Sequence, residues 1–170
     1  MSEEEFTLLI ADILEKFIKG CKFDDIVISR VYREYPIEGG RADIVIFAEF
    51  AGMGEQPFIV VEVKRRGSIV EGLDQAKWYA ESLGRYRYWR PPFVAVIKVP
   101  LNFEQVKLIE SITLLDTRTN EIIDRIYNKP FEDIYVSLKL IESAICTYTR
   151  KNVISVSCPE LPHYRVDCMR

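Results

Sequence analysis

Apolar positions early in the chain repeat at helical spacing. Phe6, Leu9, Ile10, Ile13, Leu14 and Phe17 follow the capping-box pair Ser2 and Glu5, which predicts a helix over 3–19 with Gly20 at its C-cap. β-Branched and aromatic residues then predict a strand over 26–35, ended by Pro36, and a turn at Gly39 and Gly40. A hairpin partner over 42–50, a turn at Gly52 and Gly54 and a third strand over 58–64 come next. Ser68 and Glu71 form a second capping box, predicting a helix over 69–83 stopped by Gly84, and an apolar strand follows over 93–99. Strand, helix, strand in that order is a βαβ unit, so the strands over 58–64 and 93–99 should be parallel neighbours.

The second half reads less regularly. Asn102 is placed to cap a short helix to about 110, and segments 112–115 and 121–126 flank the turn sequence DTRTN as a hairpin. Pro130 fits the first turn of a helix, with Phe131, Ile134, Tyr135, Leu138, Ile141, Ile145 and Tyr148 as its apolar stripe to about 149. Residues 153–156 suit an edge strand, and 159–170 read as an irregular tail. The expected architecture is α/β, a central mixed sheet flanked by helices, with one domain over 1–150 and a C-terminal extension over 151–170.

At 170 residues, 48% hydrophobic and 29% charged, the chain fits one soluble globular domain. No apolar run is long enough to span a bilayer, and the acidic opening MSEEE is wrong for a secretory leader, so a cytoplasmic protein with no membrane association is expected. The four cysteines, Cys21, Cys146, Cys158 and Cys168, form no C-x-x-C pair, and His163 is the single histidine. That argues against a structural zinc site and against chemistry needing a positioned histidine. Free buried thiols are expected, with disulfides only for a hyperthermophilic source. The net charge is −3, yet residues 64–98 hold eight basic and three acidic side chains, leaving that segment at +5 and the rest at −8. Overall acidity opposes indiscriminate coating of nucleic acid, while a local basic segment suits a focused contact with phosphates.

The candidate chemistry sits on two of the predicted strands. Segment 57–64, PFIVVEVK, is apolar except for Glu62 and Lys64, which are two apart and so share a face. Asp43 opens another apolar strand, and a hairpin of this length brings Asp43 beside Glu62 on adjacent strands. Two carboxylates that close repel, so a divalent cation is their natural neutraliser; oxygen-only ligands favour Mg²⁺ or Mn²⁺ over zinc. Such a cation polarises a phosphoryl oxygen and lowers the pKa of a bound water, with Lys64 placed to orient that water or steady charge on the phosphate. On the next helix Gln75 and Tyr79, four apart, share a face. Taken separately, a surface ion pair at a strand end and a half-buried tyrosine beside a surface glutamine explain these residues better.

Together, Asp43, Glu62-x-Lys64 and Gln75-x-x-x-Tyr79 resemble the PD-(D/E)xK nuclease superfamily, in its RecB-like branch. Segments 33–46 (REYPIEGGRADIVI), 58–64 (FIVVEVK) and 74–80 (DQAKWYA) are similar to the N-terminal nuclease module of type I restriction enzyme motor subunits, over about residues 3–99. The resemblance implies a restriction-endonuclease-like fold and Mg²⁺- or Mn²⁺-dependent cleavage of DNA. It implies a metal held by Asp43, Glu62 and the backbone carbonyl of Val63, with Lys64 as the catalytic lysine and Gln75 and Tyr79 as the accessory motif. It also implies a glutamate from the first helix, for which Glu5, near the helix start, ranks ahead of Glu15. Ala42 stands where the usual proline precedes the first acid, and no Walker A pattern occurs.

Segment 85–90, RYRYWR, alternates cations with aromatics, suiting either stacking on unpaired bases or capping of the core. Three readings follow. The first is a DNA-cleaving enzyme that pairs as a homodimer to cut both strands. The second is a DNA-binding module without catalysis inside a larger assembly. The third is a structural α/β protein.

Overall fold

The computed structural model describes residues 1–130 and 132–169. Its first helix, α1 (Glu3–Ile18), starts where Ser2 Oγ accepts the Glu5 N–H at 3.2 Å, and it buries Phe6, Ile10, Leu14 and Ile18 along one stripe. Strands β1 (Lys22–Phe23), β2 (Ile26–Ile37), β3 (Gly40–Phe50) and β4 (Gly54–Lys64) form an antiparallel meander. Helix α2 (Ile69–Arg87) crosses to β5 (Phe93–Lys98), which pairs parallel to β4 as the βαβ reading requires. The single turn α3 (Phe103–Val106) precedes the hairpin β6 (Leu108–Asp116) and β7 (Glu121–Pro130). Helix α4 (Ile134–Thr149) and the hairpin β8 (Val153–Cys158) and β9 (Leu161–Asp167) complete the chain.

All nine strands join one mixed sheet in the order β7-β6-β5-β4-β3-β2-β1-β8-β9. α1 and α4 cover one face, over a core that includes Ile44, Ile46, Ile59, Val61, Val63 and Ile97. α2 covers part of the other face, over Val45, Phe47, Val60, Val94 and Val96. Strands β4 and β5 are buried on both faces, which is why their sequences read as near-continuous apolar runs.

Several expectations are corrected. α2 runs a turn past Gly84 and ends at Tyr88 in the left-handed region; Gly84 is instead where Arg90 packs close, its Cβ 3.0 Å from the position a side chain would take. β2 continues through Pro36, which pairs with Arg41. The helix expected after Asn102 is one turn without a side-chain cap, and its second half is strand β6. Pro130 ends β7 rather than opening α4, whose N-cap is Asp133, with Oδ1 accepting the Tyr135 N–H at 2.9 Å. The expected stripe residue Phe131 lies outside the described residues, and Tyr135 faces solvent. β8 lies inside the sheet between β1 and β9, and the segment read as an irregular tail forms the edge strand β9. The cysteines are not free: Cys21 is bonded to Cys158 and Cys146 to Cys168. These bridges fasten the end of α1 to β8, and α4 to the residues after β9. No helix among the described residues is long and apolar enough to cross a membrane.

Candidate functional site

β3 and β4 pair from Phe50 opposite Gly54 up to Ile44 opposite Val61, with a register shift between Ile46 and Phe47, and there the backbone ladder stops. The next pair in register is Asp43 and Glu62. Side chains take over the bridging: the Val63 N–H donates to Asp43 Oδ2 at 2.9 Å, and the Asp43 N–H donates to Glu62 Oε1 at 3.4 Å. β4 meanwhile stays paired to β5 as far as Lys64 opposite Lys98. The sheet thus opens on one side of β4 only. Because a strand residue's N–H and C=O point the same way, the Val63 carbonyl faces the same opening as the two carboxylates.

Asp43, Glu62 and the Val63 backbone, set apart by the sequence, are therefore brought together. Glu62 is buried, at 2% exposure, with the acid pair as its polar surroundings. Burial first, and then the neighbouring Asp43 charge, pushes the Glu62 carboxyl up to about 9. Burial also raises Asp43, against the lowering effect of the Val63 N–H. At neutral pH the pair holds a proton that two exposed carboxyls would have lost. Lys64 shares the face of Glu62, and its charge favours ionisation of both acids. It passes beside Gly72 of α2, where an added Cβ would lie 3.2 Å from Lys64 Cγ and 3.0 Å from both Val96 methyls. The missing side chain lets α2 approach closely enough to confine the lysine stem.

Gln75 and Tyr79 do meet, Gln75 Nε2 donating to the Tyr79 hydroxyl at 2.9 Å. Tyr79 is buried beside Gly40, at the start of the strand that carries Asp43. The pair thus stands at the entrance to β3, and its side chains bond to each other rather than to either acid.

Of the first-helix glutamates, Glu3 is the one whose charge acts on Asp43. Glu15 pairs with Lys19 at 3.4 Å on the exposed side of α1, and Glu5 is exposed. Glu3 is the residue whose charge raises Asp43, and its Oε2 accepts the Arg65 N–H at 3.3 Å. Helical periodicity marks which side of α1 is apolar, but it does not tell which residue of the first turn overhangs a strand end. Arg65 is committed to structure: its guanidinium donates to the carbonyls of Met1 and Leu101 and stacks on Phe6.

Among the described residues no three His, Cys, Asp or Glu side chains stand grouped to hold a metal. The donors at the opening are two carboxylates and a carbonyl, all oxygen, around a pair that a cation would relieve of its repulsion. That donor set fits a hard divalent ion completed by water or phosphate oxygens. Comparison with protein-family models, curated proteins and solved structures found no match for this chain.

Proposed function

We propose that the protein is a metal-dependent nuclease of the restriction-endonuclease-like fold, hydrolysing DNA phosphodiester bonds at the open end of β4. The observation that carries this reading is the side-by-side placement of Asp43 and Glu62 where the β3–β4 ladder ends, with Lys64 on the same face. Asp43, Glu62 and the Val63 carbonyl are the groups that would hold Mg²⁺ or Mn²⁺. When bound, such an ion neutralises the carboxylates, polarises a phosphoryl oxygen and acidifies water.

The chain's own residues do the rest. Lys64 brings a compact cation with three donors to the phosphate, orienting the attacking water and steadying the charge that develops. Gly72 confines the lysine stem, so little freedom is lost when it engages. Val63 fixes the Asp43 carboxylate through its N–H. Water forms the new bond to phosphorus, and the departing sugar oxygen leaves with a proton. The two disulfides fit either an oxidising compartment or the interior of a hyperthermophile.

The test is a panel of end-labelled DNA structures incubated with Mn²⁺, Mg²⁺ or chelator. Cleavage that needs the metal supports the proposal. Metal-independent or absent cleavage, with retained DNA binding, transfers the assignment to a binding module.

A further inference from the structure

α2 lies over β4 and β5 and reaches β2 and β3 only at its margin. On that side of the sheet β2 is open, and Arg30 and Tyr32, aligned with the buried Phe47 and Val45 of β3, are exposed. Between the last turns of α2 and the β2–β3 hairpin lies a recess of about 330 Å³, lined by Tyr35, Ile37, Glu38, Leu83, Tyr86 and Arg87. Its volume is at the lower end of the ~300–1,000 Å³ of small-molecule sites.

The lining has the chemistry of stacking on one side and of anion binding on the other. Tyr32 and Tyr35 meet edge to face at 5.0 Å, and Tyr35 leans on Phe47 at 5.4 Å. Tyr86 is 61% exposed, and its hydroxyl donates to Glu38. Two guanidinium groups share the Phe47 ring, Arg30 at 4.7 Å and Arg87 at 5.5 Å. Arg30 is committed to Glu55 by two bonds, 2.7 and 3.2 Å. The charge of Arg87 also acts on Glu55, but its Nε is buried without a hydrogen-bond partner among the described residues. A buried guanidinium nitrogen left unpaired is costly, and a phosphate oxygen would satisfy it.

The recess also lies on a line with the acid pair. Tyr35 is opposite Ala42, the residue before Asp43. Phe47, beneath Arg87, is four residues along β3 from Asp43, roughly 13 Å at about 3.3 Å per residue. A strand whose phosphate reaches Asp43 and Glu62 would therefore pass the recess within a few nucleotides. A base can enter a recess between aromatic rings only if it is not paired and stacked in a duplex.

We infer that this recess is a subsite for an unpaired nucleobase, with Arg87 taking the neighbouring phosphate, and that the substrate is single-stranded DNA. The inference rests on the nuclease reading for the position of the cut, but its test does not require cleavage.

The test is fluorescence anisotropy in chelator with a labelled DNA oligonucleotide of about 20 nucleotides. The single strand, its blunt duplex and the RNA of the same sequence are compared at one salt concentration, with wild type, Tyr86→Ala and Arg87→Gln. Tyr86 is exposed, so its truncation spares the core, and circular dichroism checks that Arg87→Gln is folded. The single-stranded DNA is expected to bind at least tenfold more tightly than the duplex, and each substitution to weaken it by roughly 5–100-fold with little effect on duplex binding. Equal affinity for duplex, or unchanged affinity in both variants, overturns the subsite, and tighter binding of RNA overturns the DNA assignment. Metal-dependent cleavage without a single-strand preference defeats this inference alone; single-strand preference without cleavage defeats the nuclease reading alone.

Discussion

The backbone N–H of Val63 donates to Asp43 Oδ2 at 2.9 Å, at the point where the two strands carrying these residues stop pairing. A side chain has replaced a rung of the ladder. This leaves the Asp43 and Glu62 carboxylates and a backbone carbonyl facing one gap, with Glu62 almost wholly removed from water.

Stability should therefore depend on pH in a specific direction. Glu62 is raised from an ordinary 4.5 to about 9, and Asp43 is raised as well, so the folded state holds protons that the unfolded state releases first. The stabilisation is complete below about pH 4.5 and is lost as pH climbs towards 9. In chelator the melting temperature is expected to fall between pH 6 and 9, and Asp43→Asn, which removes the like charge, should flatten that fall. Parallel profiles for the two proteins in a thermal melt series would contradict the arrangement.

Gly72 gives a second check. Replacing it with alanine puts a methyl carbon 3.0 Å from Val96 and 3.2 Å from the Lys64 stem. Overpacking of this kind costs about 1–3 kcal/mol, or roughly 2–12 °C in melting temperature for a chain of this size. If the lysine acts on substrate, cleavage should also fall by about 10–100-fold at a temperature where the variant is folded. A variant equal to wild type in both respects would show that α2 does not confine Lys64.

The hairpin carrying Asp43 and Glu62 was readable because two apolar strands with glycine turns between them mark a hairpin, although its register shift between Ile46 and Phe47 was not. β9 was not. It is an edge strand packed on one face only, so Tyr164 and Val166 are its inward residues and Pro162, His163 and Arg165 dilute the pattern. The turn past Gly84 was missed because a glycine at a helix end and a glycine under a packed neighbour look alike in sequence. Pro130 and Asp133 both satisfy helix-start rules, and tertiary pairing of Pro130 with Leu108 decides between them. Glu5 was favoured over Glu15 for its place near the helix start, and position along the helix alone does not tell which first-turn glutamate lies near Asp43. In segment 85–90 the core-capping reading holds for one aromatic residue. Trp89 donates its indole N–H to the Pro57 carbonyl and packs on Phe50, whereas Tyr88 is left almost fully exposed.

The disulfides were beyond sequence reading for a simpler reason: Cys21 and Cys158 are separated by 137 residues and are joined only because β1 pairs with β8. Closing a loop of that length stabilises by about 2–5 kcal/mol, chiefly by restricting the unfolded chain. Replacing both Cys21 and Cys158 with serine is expected to lower the melting temperature by roughly 5–20 °C. Thiol titration of the native protein should find no free cysteine before reduction. Four reactive thiols in unfolded, unreduced protein would contradict the pairing.

The proposed hydrolytic centre between β3 and β4 is tested by the initial rate of Mn²⁺-dependent cleavage of labelled single-stranded DNA by wild type and by Lys64→Ala, prepared and assayed together. The expected result is cleavage by wild type that chelator abolishes, and a rate at least ~100-fold lower in the variant at equal folded concentration. No cleavage by wild type, or equal cleavage by both proteins, would contradict it.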